Sequence, residues 1–181
     1  LGAYVAVSSF GAMAGYAASP SLAMNLVAVF AAIGIAMLAA GALGLAFERV
    51  VVKPVYGHHL KQILITMGGM IVGEELIKLV WGPVPIALPL PETLRGSFVI
   101  GEAIVEKFRV LATVIGAVVF VVLAWVLART KLGLLIRAGV ENREMVEALG
   151  YRIERLFVGV FVAGSALAGL GGVLWGLYQQ S

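Results

Sequence analysis

Cysteine is absent from the 181-residue chain, which excludes disulfides and thiolate metal sites but leaves the compartment open. Charge is scarce as well. Asp, Glu, Lys and Arg make up 13% of the chain against 61% hydrophobic residues, where soluble domains carry about 25% and roughly 45–50%. No charged residue occurs from Leu1 to Phe47, from Val110 to Ala128 or from Leu156 to Tyr178. Each run is long enough for a hydrocarbon core, which takes about 20 helical residues. Soluble core helices run about 8–20 residues between polar loops, so three such runs mark an integral membrane protein. An initiating Met and a basic segment ahead of the first apolar run are also missing. The N-terminus therefore does not read as a signal peptide, and the chain is expected to begin inside a helix.

The net charge of +3 does not point to nucleic acid, because the basic residues are not gathered on one face with aromatic partners. Catalytic patterns are missing too: there is no nucleophile, base and orienting-group arrangement, no phosphate-binding glycine loop and no metal-ligand spacing. His58 and His59 are adjacent and do not converge on one metal, so they read as a solvated loop pair. An enzyme is disfavoured, and no metal or cofactor is expected on this chain.

What is present is an all-α pattern of about five transmembrane helices: Leu1 to Ala17, Leu22 to Phe47, about Gln62 to Val80, Val110 to Ala128 and Leu156 to Tyr178. Ala18, Ser19, Pro20 and Ser21 separate the first two, as in a tight antiparallel hairpin of helices. The connections 48–61 and 129–155 hold nine of the 13 Lys and Arg residues. Basic residues stay preferentially on the cytoplasmic side, so these two connections are expected there and the others outside. The external connection carries Pro83, Pro85, Pro89 and Pro91, which fix φ and remove donors, so it is expected to be extended. Beyond it, the stretch from Gly101 to Arg109 is charged enough to lie at the interface. This connection serves either as a linker or as a docking surface for an external partner.

The last span carries Gly164, Ala168, Gly172 and Gly176 in an i, i+4 row, with Ser165 and Gly169 beside it. Small rows let helix backbones approach closely where lipid is as apolar as leucine, so this row is expected to pack helices. Gly11 and Gly15 in the first span, and Ala40, Gly41 and Gly44 in the second, supply similar positions.

The third span holds Thr66, Gly68, Gly69, Gly73, Glu74, Glu75 and Lys78. Three charges at the bilayer centre would cost about 2.5–3.5 kcal/mol each, against about 0.3–0.6 returned per aliphatic side chain. The charges must therefore sit near an interface or face other helices. Lys78 is spaced to pair with Glu74 and Glu75 on one helical face, and Trp81 marks the interface. Two roles stay open for the carboxylates: paired structural groups, or markers of a translocation pathway. Gly68 and Gly69 lower helix propensity by roughly 1 kcal/mol each, which predicts a kink or break beside Thr66 and a polar patch facing a pore.

Residues 137–155 concentrate eight of the chain's charged residues. Within them Asn142 suits an N-cap, Glu144 places an acid in a first turn, and Gly150 suits the left-handed position after a last turn. A short helix over about Arg143 to Leu149 is predicted, with Met145, Val146 and Leu149 on one side. Two turns do not stand alone in water, so that side must rest on the membrane domain or on a cytoplasmic partner.

These residues resemble the permease subunits of ABC importers for branched-chain amino acids, over the whole of Leu1 to Ser181. The resemblance is carried by LGAYVA at the start, ERVVVKPV at 48–55, ITMGGMIV followed by LVWGPVP, RTKLGLLIRAGVENREMVEALGYRIERL, and AGSALAGLGGVLWG. Thr66 and Gly68 fit the family's T-x-G pattern. Arg137, Gly139, Glu141, Asn142, Ala148, Leu149 and Gly150 fit its cytoplasmic coupling segment, Asn142 standing where aspartate is common. The resemblance implies one transmembrane permease domain, truncated at both ends, in the inner membrane of a prokaryote. It implies that Arg137, Glu141, Asn142, Glu144, Met145, Val146, Ala148, Leu149 and Gly150 engage an ATP-binding subunit. The implied complex has two permease chains, two ATPases that bind ATP and Mg, and an external solute-binding protein. The solute it implies is a branched-chain or related amino acid; related permeases carry amides, urea, sugars or nucleosides. In this frame Thr66, Gly68, Glu74 and Glu75 are candidates for the pathway. The rivals are an ion-coupled carrier or channel using Glu74 and Glu75, and a scaffold whose loop recruits a soluble partner.

Overall fold

In hydrocarbon each backbone N–H and C=O needs a partner within its own segment, and the uncharged runs meet that demand as helices. The computed structural model describes residues 2–12, 22–55, 59–82, 97–100 and 103–178. In chain order these form α1 (Gly2–Ala12), α2 (Leu22–Phe47), a π-helical turn (Glu48–Val52), a 3-10 turn (Lys53–Val55), α3 (His59–Trp81), strands β1 (Ser97–Ile100) and β2 (Ala103–Glu106), α4 (Lys107–Arg129), α5 (Lys131–Glu141), α6 (Arg143–Ala148) and α7 (Ile153–Tyr178). Among the described residues three helical stretches are long and apolar enough to cross a membrane: Val29–Val55, Lys107–Arg129 and Ile153–Tyr178. α3 has the length, at 23 residues, but carries the charges of its last turns. The described part of α1 is 11 residues, about 16 Å of helix.

One expectation needs correction, one gains detail and three fall outside. The Gly68–Gly69 pair does not break its span, since α3 is continuous from His59 to Trp81. Phe47 occupies the space beside Gly69, where a Cβ would overlap its ring, while Gly68 has nothing within 4 Å. The stretch before α4 is an antiparallel hairpin, with Ser97 paired to Glu106 and Ile100 to Ala103. The expected hairpin turn at Ala18–Ser21, the proline-rich run 83–91 and His58 lie outside the described residues; His59 opens α3.

The chain divides into two compact units, residues 1–95 with 161–181, and residues 96–160. In the first, Ala6, Val29, Ala32, Ile33, Ala36, Val173 and Leu177 are buried. Three of these seven are alanine, and helix backbones meet closely there. A Cβ on Gly169 would stand 2.7 Å from the Ala40 Cβ and 2.8 Å from the Ala36 carbonyl oxygen, and one on Gly2 would overlap the Gly169 carbonyl. Gly41 fits against Val162 and Ala166, and a Cβ on Gly44 would overlap the Ser165 side chain. α1 is also joined to α3 by side chains. The Trp81 indole Nε1–H donates to Ser8 Oγ at 3.0 Å, and the Tyr4 and Trp81 rings lie 5.8 Å apart.

The π turn closes with the Lys53 N–H donating to the Glu48 carbonyl, one residue further than an α-helix allows. It swings Glu48 inward, where the residue is 0% exposed. An ionisable side chain so enclosed is costly unless its surroundings compensate, and the turn packs against both α2 and α3.

Gly169→Ala is expected to cost about 1–3 kcal/mol by overpacking against backbone, lowering the thermal midpoint in detergent. Gly164→Ala, with open space around it, should leave that midpoint unchanged or slightly raised; equal midpoints for the two variants would contradict this packing.

Candidate functional site

The connection between α4 and α7 is built from its caps upward. Thr130 leaves the helical region at φ −109°, ψ 158°, ending α4 and capping α5. Its hydroxyl accepts from the Gly133 N–H at 3.3 Å and donates to the Val126 carbonyl at 2.5 Å. One side chain thus serves the loose ends of two helices. Arg137 reaches back along α5, donating from Nη2 to the Leu127 carbonyl at 2.8 Å and from Nε to the Gly133 carbonyl at 3.4 Å. Gly133 is buried, and a Cβ there would overlap the Leu127 carbonyl oxygen. Gly139 is buried too, with Ile153 Cδ1 placed 2.6 Å from where its Cβ would be.

After α5, Asn142 is extended and its side-chain oxygen accepts from the Met145 N–H at 3.0 Å. The predicted short helix follows as α6, Arg143–Ala148, and Gly150 takes φ +87°. That φ is left-handed, which glycine adopts without a Cβ penalty. Arg143 and Glu147 pair at 2.9 Å along the exposed side, where such pairs contribute little.

The apolar residues of α6 separate. Val146 is 4% exposed, whereas Met145 and Leu149 are 66% and 72% exposed. Val146 holds α6 to its own chain, and the other two present an uncovered apolar pair. Glu141, Glu144 and Ala148 are exposed around them. Arg137, also exposed, engages one carbonyl of α4 and one of α5 through Nη2 and Nε. Both Gly133 and Thr130 escaped the sequence reading, although Thr130 two residues before an apolar periodic stretch is a legible N-cap signal.

On α3 the polar residues do not converge. The Thr66 hydroxyl lies 2.9 Å from both the Gln62 and the Ile63 carbonyls of its own helix. Two turns on, Lys78 Nζ stands 2.9 Å from Glu74 and 3.0 Å from Glu75. The three form a charged cluster with a net charge of about −1 on the exposed side of α3, just before the Gly82 turn, whose N–H donates to the Lys78 carbonyl. Among the described residues no three His, Asp or Glu side chains are placed to hold a metal ion.

On α7, Gly164 has nothing within 4 Å and Ala168 is exposed. Gly172 of the expected row is in contact, a Cβ there lying 3.3 Å from Gly2 Cα. The helix faces its neighbours through the adjacent row, Val162, Ser165, Ala166 and Gly169.

Comparison with known proteins bears on this arrangement. The family model described as "branched-chain amino acid transport system / permease component" matches residues 1–181. The high-affinity branched-chain amino acid transport system permease protein LivH of Escherichia coli strain K12 is 30% identical over 151 residues, 79% of this chain and 48% of that protein. LivH of Salmonella typhimurium matches to the same extent. The permease protein BraD of Pseudomonas aeruginosa is 28% identical over 163 residues, 87% of this chain and 52% of its own length. The chain thus spans about half the length of the curated relatives it matches. No solved structure matches it.

Asn142→Ala should remove the cap of α6 at a cost of about 1 kcal/mol, read as roughly fivefold faster amide exchange at Met145 and Val146. Asn142→Asp should restore slow exchange; fast exchange in both variants would mean that the side chain does not cap.

Proposed function

The chain belongs to the permease components of branched-chain amino acid transport systems, and from that premise we propose that it is the membrane half of an ATP-driven importer for a branched-chain or related amino acid. The observation that supports this most directly is the division of labour on α6. One apolar residue, Val146, anchors a two-turn helix, and two others, Met145 and Leu149, are left uncovered beside exposed Glu141 and Glu144. A helix of six residues needs a surface to rest on, and an apolar pair rimmed by charge has the make-up of a protein interface core with its polar rim.

In the proposed arrangement α6 docks into an ATPase subunit that binds ATP and Mg. Closure of two such subunits moves the connection 129–155 on the cytoplasmic face, and α4 and α7 follow. A second permease chain completes the membrane unit, and a solute-binding protein delivers the amino acid from outside. The chain is then a transport subunit within one permease domain of a prokaryotic inner membrane. ATP hydrolysis belongs to its partners.

The cluster of Glu74, Glu75 and Lys78 favours a second role within the same protein. An unbalanced charge on the exposed side of a spanning helix is unsuited to lipid, so in the bilayer it faces water or another chain. Together with Thr66 and Gly68 it is placed on the pathway or at the seam between permease chains.

Proteoliposomes holding the full-length protein, its ATPases and its binding protein should take up leucine only when ATP is supplied. Uptake that continues without ATP and follows a proton or sodium gradient would overturn the importer in favour of an ion-coupled carrier. Met145→Asp or Leu149→Asp should weaken ATPase assembly at least tenfold, as expected for a charge placed in an interface core, while membrane insertion persists; normal assembly would remove α6 from that interface. Glu74→Gln with Glu75→Gln should lower uptake severalfold if the cluster lines the pathway, and unchanged uptake and pH dependence would return it to a structural role.

A further inference from the structure

The geometry points to Arg137, with Gly133 and Thr130, as a rigid joint that transmits movement of α6 to the spanning helix α4. This deepens, and rests on, the reading of α6 as the ATPase-facing element. Three independent observations meet at one place. The Leu127 carbonyl belongs to the last turn of α4, where no helical N–H remains to bond it, and the Arg137 guanidinium, ten residues on, takes it at 2.8 Å. Gly133 admits the Leu127 carbonyl into space that any side chain would fill. Thr130 bonds at once to the α4 carbonyl of Val126 and to the Gly133 N–H of α5.

A flexible connection would absorb a push delivered at α6. This one is held by a charge-assisted bond from Arg137 to the Leu127 carbonyl and a capping hydroxyl, with backbone against backbone between them, and packed interiors transmit strain rather than absorb it. At its other end α5 runs to Gly139, which is closed against Ile153 at the start of α7. α5 is thus fastened near both of its ends, with α6 following directly after Asn142. Arg137 is exposed, yet its Nε and Nη2 are both engaged by carbonyls of its own chain.

The test uses the full-length permease with its ATPases and binding protein in nanodiscs. Arg137→Ala should leave ATPase assembly and solute-free hydrolysis near wild type while leucine uptake per ATP falls on the order of tenfold. Gly133→Ala should do the same, at a position with no side chain to touch a partner. Thr130→Ala, a milder cut at the same joint, should give an intermediate loss and serves if Gly133→Ala does not fold. Arg137→Lys, which keeps the charge but not the fork, should behave like the alanine variant. Loss of assembly in Arg137→Ala alone, with normal coupling in the Gly133 and Thr130 variants, would overturn the joint and make Arg137 a contact residue.

A readout independent of solute separates this from the transport proposal. These 181 residues contain no cysteine; with any cysteines elsewhere in the complex replaced, a single Val114→Cys reports on α4 through its maleimide labelling rate. ATP with vanadate should change that rate severalfold in the otherwise wild-type complex and not in Arg137→Ala. A change that persists in the variant, or none in the wild type, would overturn the joint. Failure of leucine uptake with nucleotide-dependent labelling intact would instead revise the solute and leave the joint standing.

Discussion

The constraint from which the structure follows is that hydrocarbon offers no hydrogen bonds to a polypeptide backbone. Inside a span the helix supplies its own, and the difficulty moves to the helix ends, where the last carbonyls and first N–H groups are left over. In this chain the ends are where the informative side chains gather. Thr130 and Arg137 serve the end of α4, Asn142 serves the start of α6, and the Gly82 N–H closes the end of α3. Charge at these places keeps them at water and leaves the uncharged runs to lipid.

A second consequence is that packing cannot rely on expelling water from between the spans. Close approach takes its place, and close approach requires small residues. Gly2, Gly44 and Gly169 each stand where a Cβ would overlap or crowd a neighbouring helix, and the buried positions around them are mostly alanine and valine. Helices joined this way are held largely by surface fit. A protein proposed to alternate between conformations is served by such contacts, since nothing strong must be broken for one span to shift against another. The connection between α4 and α7 is the reverse case. It is tied by hydrogen bonds to charged groups, and so moves as a piece.

Only about half the length of the curated relatives corresponds to this chain, yet that half holds the segment proposed to couple and the charged cluster of α3. The two are built on different principles. α6 displays apolar side chains where water is expected, and α3 displays charge where lipid is expected. Each is a mismatch with its surroundings that a partner would remove, and on α6 the capping hydrogen bond and the buried Val146 hold the mismatched pair in a defined position.

Much was legible in the residues alone because the signals are local. The boundaries of α2, α4 and α7 follow the uncharged runs, since a charge inside a span is costly wherever it falls. Asn142 and Gly150 framed α6 because a cap and a left-handed glycine act on the nearest turn. Tertiary structure decided what depends on neighbours distant in sequence. It chose the row of Ser165 and Gly169 over that of Gly164 and Ala168, a turn of about 100° around one helix that composition does not distinguish. It kept α3 continuous through Gly68 and Gly69, with Phe47 filling the space beside the second glycine. It buried Glu48 through a π turn, and it brought Arg137 to the Leu127 carbonyl at the end of α4. Periodicity states which residues share a face; which face is covered, and by what, is settled only when another helix arrives.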